Sequence, residues 1–491
     1  MKLSRILCDG LMVFVAVGCS LEDNFQRLER VEKEITIKAV REGDEAETRT
    51  YREDSDGSVW WVPGDAISLF YGSGADGGSK FTSVNTTDTT RVTNFTGVIT
   101  AITGGGEIPM DQTYFWGFYP YQEDASCDGT GVTMTLPTKQ TAVPGTFATN
   151  TFPSIGRSQG LVMGFYNICG GMKFSVTKEG IKRITLKSKG GEYVSGKAKV
   201  SFGEDGIPAA EIIDGSDEVV LEAPAGEFFI PGKFYFMVMF PTTFSQGFTV
   251  KFETFTEEAS VEKGKVTVKR SIFGKISNLD GSAAYSKKTG NIPIEDANFK
   301  AYLVENFDGN GDGEISYEEA ESVVKIDLQS NNKSIKTLHG IEYFENLDTL
   351  KYVTGMAMSS SFYVDEKNGE TVDEVVNQMI DAGLTDYNNS PRGLVDELDL
   401  SNNKKLRYLY LRGHPMLQGI NLKFNTDLTH LYCYASMKTG ALLDVTSNNK
   451  LQTLVCRDCY LQGNLDLSNC KDLSSVEIGR ASCRERVCQY V

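Results

Sequence analysis

Leu398-Asp-Leu-Ser-Asn-Asn-Lys-Lys-Leu406-Arg-Tyr-Leu409, Ile420-Asn-Leu-Lys-Phe-Asn-Thr-Asp-Leu428-Thr-His-Leu431, Leu443-Asp-Val-Thr-Ser-Asn-Asn-Lys-Leu451-Gln-Thr-Leu454 and Leu465-Asp-Leu-Ser-Asn-Cys-Lys-Asp-Leu473-Ser-Ser-Val476 are four copies of one pattern. Their starts fall 22, 23 and 22 residues apart. A fixed period of this length marks a stacked architecture, because one short unit cannot bury its apolar face alone and must lay it against the next copy.

The period and the placing of leucines resemble leucine-rich repeats, in which each unit adds one short strand. Ile326-Asp-Leu-Gln-Ser-Asn-Asn-Lys-Ser-Ile335-Lys-Thr-Leu338 is an earlier copy, so repeats are expected over 326–477. The segment between it and Leu398 is irregular, with a helix expected from Val372 to Ala382. Asn and Asp at the turns suit tight bends. Cys433 and Cys456 hold the same place in successive copies, which makes them core residues rather than a bridge. A solenoid offers an extended face to protein or glycan.

Just upstream, Phe299, Leu303 and Phe307 recur at i, i+4 and i+8, as on one face of a helix. Asp308-Gly-Asn310-Gly-Asp312-Gly313-Glu314-Ile315-Ser316-Tyr-Glu318-Glu319 follows. It matches the calcium loop of an EF-hand. Asp308, Asn310 and Asp312 offer side-chain oxygens at the first, third and fifth places, and Gly313 permits the sharp turn. The Glu314 carbonyl, Ser316 and a bidentate Glu319 complete the set. Carboxylates gathered without a cation repel one another, so calcium is the expected cofactor of an EF-hand-like segment at 290–325. A single loop suits a structural ion at a junction better than a signalling switch, which pairs two.

From Thr50 to about Ser286 the composition turns to Gly, Thr, Val, Phe and Tyr, in short alternating runs between turn residues. Strands are expected at Ile67 to Tyr71, Thr113 to Tyr119, Gly171 to Val176, Lys182 to Lys187, Lys197 to Phe202, Glu227 to Ile230, Phe234 to Phe240 and Gly247 to Thr254, with a first one at Glu34 to Val40. The succession Glu47-Thr48-Arg49-Thr50, Trp60-Trp61-Val62-Pro63-Gly64-Asp65-Ala66-Ile67, Tyr114-Phe115-Trp116-Gly117-Phe118-Tyr119-Pro120-Tyr121, Asn167-Ile168-Cys169-Gly170-Gly171-Met172-Lys173-Phe174 and Phe240-Pro241-Thr242-Thr243-Phe244 with Gly247-Phe248-Thr249-Val250 resembles the fimbrillin-like surface proteins of Bacteroides and Porphyromonas. The resemblance covers about half the chain. It implies two transthyretin-like β-sandwiches, over 50–160 and 161–286. It further implies protease processing at Arg49 and strand exchange with other fimbrial subunits in those members that polymerise. A chain that runs on into a calcium loop and repeats would accept a donor strand without supplying one. Trp60, Trp61, Trp116, Tyr119 and Tyr121 are expected in sandwich cores rather than on a sugar-stacking platform. Gly72-Ser73-Gly74-Ala75-Asp76-Gly77 is expected to be a hairpin loop, since no helix can open after it.

The chain start, with Lys2 and Arg5 ahead of Leu11 to Val17 and then Ala16-Val17-Gly18-Cys19, reads as a signal peptide over 1–18. It resembles bacterial lipoproteins, which implies a lipid anchor on Cys19. Ser20-Leu21-Glu22-Asp23 resembles a surface-export signal of the same bacteria, placing the protein on the outer face of the cell outer membrane. Residues 19–49 are then a tether and first strand. The net charge of -17 gives no basic patch to neutralise phosphates and excludes nucleic acid as a partner. Ile478-Gly-Arg-Ala-Ser-Cys-Arg-Glu-Arg-Val487 reads as a translated sequencing adapter, so 478–491 is set apart from the fold. No GxSxG, HExxH or phosphate loop is present, and His339, His414 and His430 lack metal-ligand spacing, so an enzyme is not expected. The expected fold is mainly β: two sandwiches, an EF-hand-like helix-loop-helix and a leucine-rich-repeat solenoid. The expected role is a surface adhesin or accessory, terminal fimbrial subunit that binds protein or glycan through its repeats. The alternative is a non-polymerising capture protein for nutrient uptake.

Overall fold

The computed structural model describes residues 29–42, 60–71, 78–103, 114–328, 335–353 and most of 398–479. Cys19, Arg49, the loop Gly72 to Gly77 and the segment Val372 to Ala382 lie outside the described residues. The chain is mainly β, with two short α-helices among the described residues. None of the helices is long and apolar enough to cross a membrane.

Seven strands close a barrel in the order Glu29–Arg41, Val162–Asn167, Ser154–Ser158, Phe115–Tyr119, Ala66–Tyr71, Ser79–Ser83 and Val92–Thr103. The first strand is longer than the expected Glu34 to Val40. It seals the barrel by pairing antiparallel with Val92–Thr103 and parallel with Val162–Asn167. Its alternation dictates this: Ile35, Ile37 and Ala39 join a core of Trp61, Phe81, Phe95 and Phe165, while Glu34, Thr36 and Lys38 stay in water. The Trp61 ring meets those of Phe95, Tyr119 and Phe165 edge-on, at 4.9, 5.4 and 5.3 Å between centroids. Trp61, Trp116 and Tyr119 are buried, as a core assignment requires, while Trp60 and Tyr121 are half-buried. Arg41 is also buried, stacked 3.6 Å from the Trp61 ring and donating to Ser154 Oγ at 2.7 Å. Burial pushes its pKa down to about 10.

Four further sheets follow. The strands Phe234–Met239, Gly170–Ser175 and Phe273–Ile276 share one core with a six-stranded sheet that includes Arg183–Ser188 and Phe248–Glu253. Gly171 is required where it stands, since a Cβ there would come within 2.0 Å of the Met237 carbonyl oxygen. Sheet membership does not follow the expected cut between 160 and 161. Val162–Asn167 closes the barrel, whereas Val132–Leu136 pairs with Ser195–Phe202 and Lys139–Thr141 with Glu218–Glu222. Alternation fixes which face a strand buries but not which strand it pairs with, and the exchange welds the two regions through the shared core of Trp116, Phe118, Met134, Val200 and Phe236. Glu227 to Ile230 is not a strand. Pro224 and Pro231 flank it, and Gly226 turns the chain with φ +67°.

The last sheet is parallel throughout, in the order Lys325–Asp327, Thr349–Val353, Tyr408–Arg412, His430–Tyr434, Thr453–Arg457 and Ser475–Gly479. Ile478 and Gly479, expected to lie outside the fold, continue its last strand. Thr349–Val353 had no counterpart in the sequence reading, and it pairs directly with Tyr408–Arg412. Behind the strands Leu406, Leu409, Leu411, Leu428, Leu431, Leu451 and Leu454 are all fully buried, each contributing roughly 1.5–3 kcal/mol. Asn403, Asn425 and Asn448 are buried too, and they do more than shape turns. Asn425 Nδ2 donates to the carbonyls of Leu400 and Asn403, both at 2.9 Å, and Asn448 Nδ2 to those of Leu422 and Asn425, at 3.1 and 2.9 Å. Each amide thereby ties its turn to the one before.

Candidate functional site

Two places carry chemistry: the loop at the head of the parallel sheet and the outward surface of that sheet. The loop lies between α1, Ala297–Phe307, and α2, Tyr317–Ser322. Asp296 caps α1, and Ser316 with Glu319 forms a capping box on α2. Phe299, Leu303, Ile315, Ala320 and Val323 belong to the same apolar core as the repeats, so this segment closes the head of the stack. Tyr302 Oη donates to the Asp327 carbonyl at 2.9 Å, fastening α1 to the first strand of the sheet. Ile292 N donates to the Ile315 carbonyl at 2.8 Å, and Tyr317 N to that of Gly290 at 3.0 Å. The stretch around Asn291 thus forms an antiparallel bridge with the end of the loop at Ser316.

Every expected calcium ligand except Glu314 turns its side chain onto the loop itself. Asp308 accepts from the N–H groups of Gly311 and Gly313 at 2.6 and 2.9 Å, Asn310 from Asp312 N at 2.8 Å, and Asp312 from Glu314 N at 2.8 Å. Glu319 reaches back to Gly309 N and Asn310 N at 2.8 and 3.1 Å and accepts from the Ser316 hydroxyl at 2.8 Å. Glu314 pairs its carboxylate with Lys300. These hydrogen bonds, led by that from Gly313 N for Asp308 and from Ser316 N for Glu319, hold both carboxyl groups below their ordinary range. The repulsion that seemed to demand a cation is relieved by backbone donors. Among the described residues no group of three or more His, Cys, Asp or Glu is placed to hold a metal ion. The donors are nonetheless hard oxygens of the kind calcium takes, each carboxylate with lone pairs left over.

The outward surface of the sheet was not singled out from the sequence. Leu409, Leu411, Leu431 and Cys433 point inward, so Tyr408, Tyr410, His430, Tyr432 and Tyr434 between them must point out, and all five are half-buried. Across the two strands Tyr408 stacks on His430 at 5.5 Å between centroids, and Tyr410 lies 5.5 Å from Tyr432 and 5.7 Å from Tyr434. Tyr408 and Tyr432 complete the array at 5.5 Å. The Lys351 ammonium sits over the Tyr408 ring at 5.5 Å. The register continues the rows outward: Lys351, Tyr410, Tyr432, Val455 and Glu477 lie side by side, as do Val353, Arg412, Tyr434 and Arg457. The signal was present as Tyr-Leu-Tyr-Leu and His-Leu-Tyr-Cys-Tyr, aromatics alternating with core residues.

The other side of the stack is held against the second β region. Phe228 packs on Phe424 at 4.9 Å, and Phe255 bridges Phe228 and Tyr343 at 6.2 and 5.6 Å. Asn421 Nδ2 donates to the Gly226 carbonyl at 2.9 Å, and Lys423 pairs with Glu227 at 2.8 Å. A Cβ at Gly226 would sit 2.7 Å from the Asn421 amide, so the loop that failed to form a strand is the one that docks the repeats.

His414 is buried, with Nε2 donating to the Tyr352 carbonyl at 3.0 Å, and His339 lies 3.0 Å from Glu295. The six described cysteines are buried, Cys433 and Cys456 side by side in register.

No family model matches the chain, and no curated protein matches it. Among solved structures it is similar to a putative cell adhesion protein from Bacteroides ovatus, at 11% identity over 52% of this chain and 96% of that one, with a TM-score of 0.31. It is also similar to the tip fimbrial protein of Porphyromonas gingivalis, at 9% identity over 52% and 99%, TM-score 0.26. An internalin from Listeria monocytogenes aligns at 18% identity over 37% of this chain and 48% of that one, TM-score 0.21.

Proposed function

We propose that the chain is a cell-surface lipoprotein acting as an adhesin or accessory, terminal fimbrial subunit, and that its last region is a leucine-rich-repeat solenoid whose outward face binds the ligand. The observation that carries the reading is the aromatic array on Tyr408–Arg412 and His430–Tyr434, set on a stack that is docked to the second β region through other residues. Contiguous aromatics left half-buried on an outward surface support a place of contact. Cys19 is the lipid attachment site in this reading, and the outer membrane is the partner it engages.

Calcium at Asp308, Asn310, Asp312, the Glu314 carbonyl, Ser316 and Glu319 belongs to the same proposal. Bound there, it would add its charge to the head of the stack and stiffen the turn that leads into Lys325–Asp327. The melting temperature of the whole chain should rise with added calcium and fall with chelator, and Asp312→Ala should remove most of the difference. Superimposable melts would leave an acidic turn.

The adhesin reading is tested on cells. Those expressing the wild type should adhere to host mucosal surfaces, Cys19→Ala should release the protein to the medium, and Tyr410→Ala with Tyr432→Ala should abolish adherence while surface display persists. Unchanged adherence of the double variant would overturn the role given to the repeats.

A further inference from the structure

We propose that the outward face of the parallel sheet is a site for an acidic glycan, a chain of sugar rings bearing carboxylate or sulfate groups. This rests on the adhesin reading and narrows it to a ligand class.

The first argument is shape. The rings of Tyr408, Tyr410, His430 and Tyr432 hold one another in place across adjacent strands, so little rotamer freedom remains to be lost on binding. Ranged side by side across two strands and all half-buried, they form a platform, whereas protein partners concentrate their energy in a few side chains that plug into pockets. A pyranose instead presents a flat face of C–H bonds that covers an aromatic ring, while its rim hydroxyls reach the phenol oxygens. The array repeats ring by ring with the strands, as a polysaccharide repeats sugar by sugar. Both central strands are paired on either side, so the face offers no backbone edge to an extended peptide.

The second argument is charge. In the outward rows Lys325, Lys351, Arg412 and Arg457 stand with Asp327 and Glu477, a surplus of two positive charges on a chain of net charge -17. An anionic ligand is drawn to this face and turned away from the rest of the molecule. Cations beside aromatic rings suit sugars that carry acid groups at the ring edge.

The test uses the whole chain and calorimetric titration with polygalacturonate and hyaluronan, against neutral dextran and poly-glutamate. The two acidic polysaccharides should bind, and binding should weaken as sodium chloride is raised. Tyr410→Ala with Tyr432→Ala should lower affinity about tenfold or more, whereas Tyr432→Phe, which keeps the ring, should retain most of it. Lys351→Gln with Arg412→Gln should lower affinity and flatten the salt dependence. Binding of dextran or poly-glutamate as tightly as the acidic polysaccharides, no binding of either acidic polysaccharide, or full affinity in the double tyrosine variant would overturn the proposal. If glycan binding fails while the double variant still abolishes cell adherence, the adhesin stands without this ligand. If glycan binding behaves as stated and adherence is untouched, the site stands and the adhesin role does not.

Discussion

The barrel and the parallel sheet spend their aromatic residues in opposite ways. In the barrel, rings are the filling: Trp61, Phe95, Phe115 and Phe165 are buried without remainder. On the strands Tyr408–Arg412 and His430–Tyr434 of the parallel sheet, leucines fill the core at a fixed period and the rings stand outside it, stacked across strands. A closed barrel has to fill a wide interior from a few strands, which calls for large side chains. A stack of repeats fills its interior with one medium-sized residue per turn, and the outward positions are then released from packing. The same residue type is therefore bound to the core in one region and released from it in the other.

Breaking that contrast starts with the largest effect. Trp61→Ala should cost about 3–5 kcal/mol in urea unfolding, because it removes the ring on which Phe95, Tyr119, Phe165 and Arg41 all rest. A loss below about 1 kcal/mol would mean the barrel core is not built on that ring.

His414 comes next. Burial pushes its pKa down to about 4, against an ordinary value of about 6.5 in the unfolded chain. The folded state therefore binds the proton less well, so its stability is full above about pH 6.5 and drains away as the pH falls toward 4, by about 3 kcal/mol in all. Unfolding curves for the wild type and His414→Gln across this window should diverge at high pH and converge at low pH. Parallel curves would place the titration elsewhere.

Asn425→Ala should then cost about 2–3 kcal/mol, since two buried carbonyls lose their donor at once. A cost under about 0.5 kcal/mol would reduce the buried amides to turn formers.

The smallest effect sharpens the contrast most. Tyr410→Ala should change stability by no more than about 0.5–1 kcal/mol, even though it removes as large a ring as many in the barrel. A loss on the scale of Trp61→Ala would make the outward rings part of the fold and undo the functional reading.

What the sequence made legible was period and alternation. The spacing of leucines located the repeats, and the spacing of apolar residues placed most of the expected strands of the β regions to within a residue or two, while many short strands there carried no such signal. Partners were not legible: nothing in Val132–Leu136 says that it pairs beyond residue 195, because pairing between distant strands leaves no local mark. The strand Thr349–Val353 carries a weaker signal because Phe344 stands where later copies carry the buried asparagine, so its repeat departs from the shared pattern. The loop ligands were legible as a set, but their engagement with backbone N–H groups was not, since spacing gives donors and not the direction they turn. The outward rings stand in plain alternation with the leucines, but alternation alone does not distinguish an aromatic on a surface from one that fills a second core.

The first strand, Glu29–Arg41, lies hydrogen-bonded to Val92–Thr103 from Glu29 to Val40, and just past its end Glu42 grips Arg270 with both oxygens at 2.7 and 2.8 Å. Tension entering through the residues before Glu29 meets that ladder and the Glu42–Arg270 pair before it reaches the rest of the barrel. On the reading proposed above, with the ligand on the repeats and the lipid on Cys19, load passing between the two crosses this strand, and the barrel's hold on it scales with the length of one ladder.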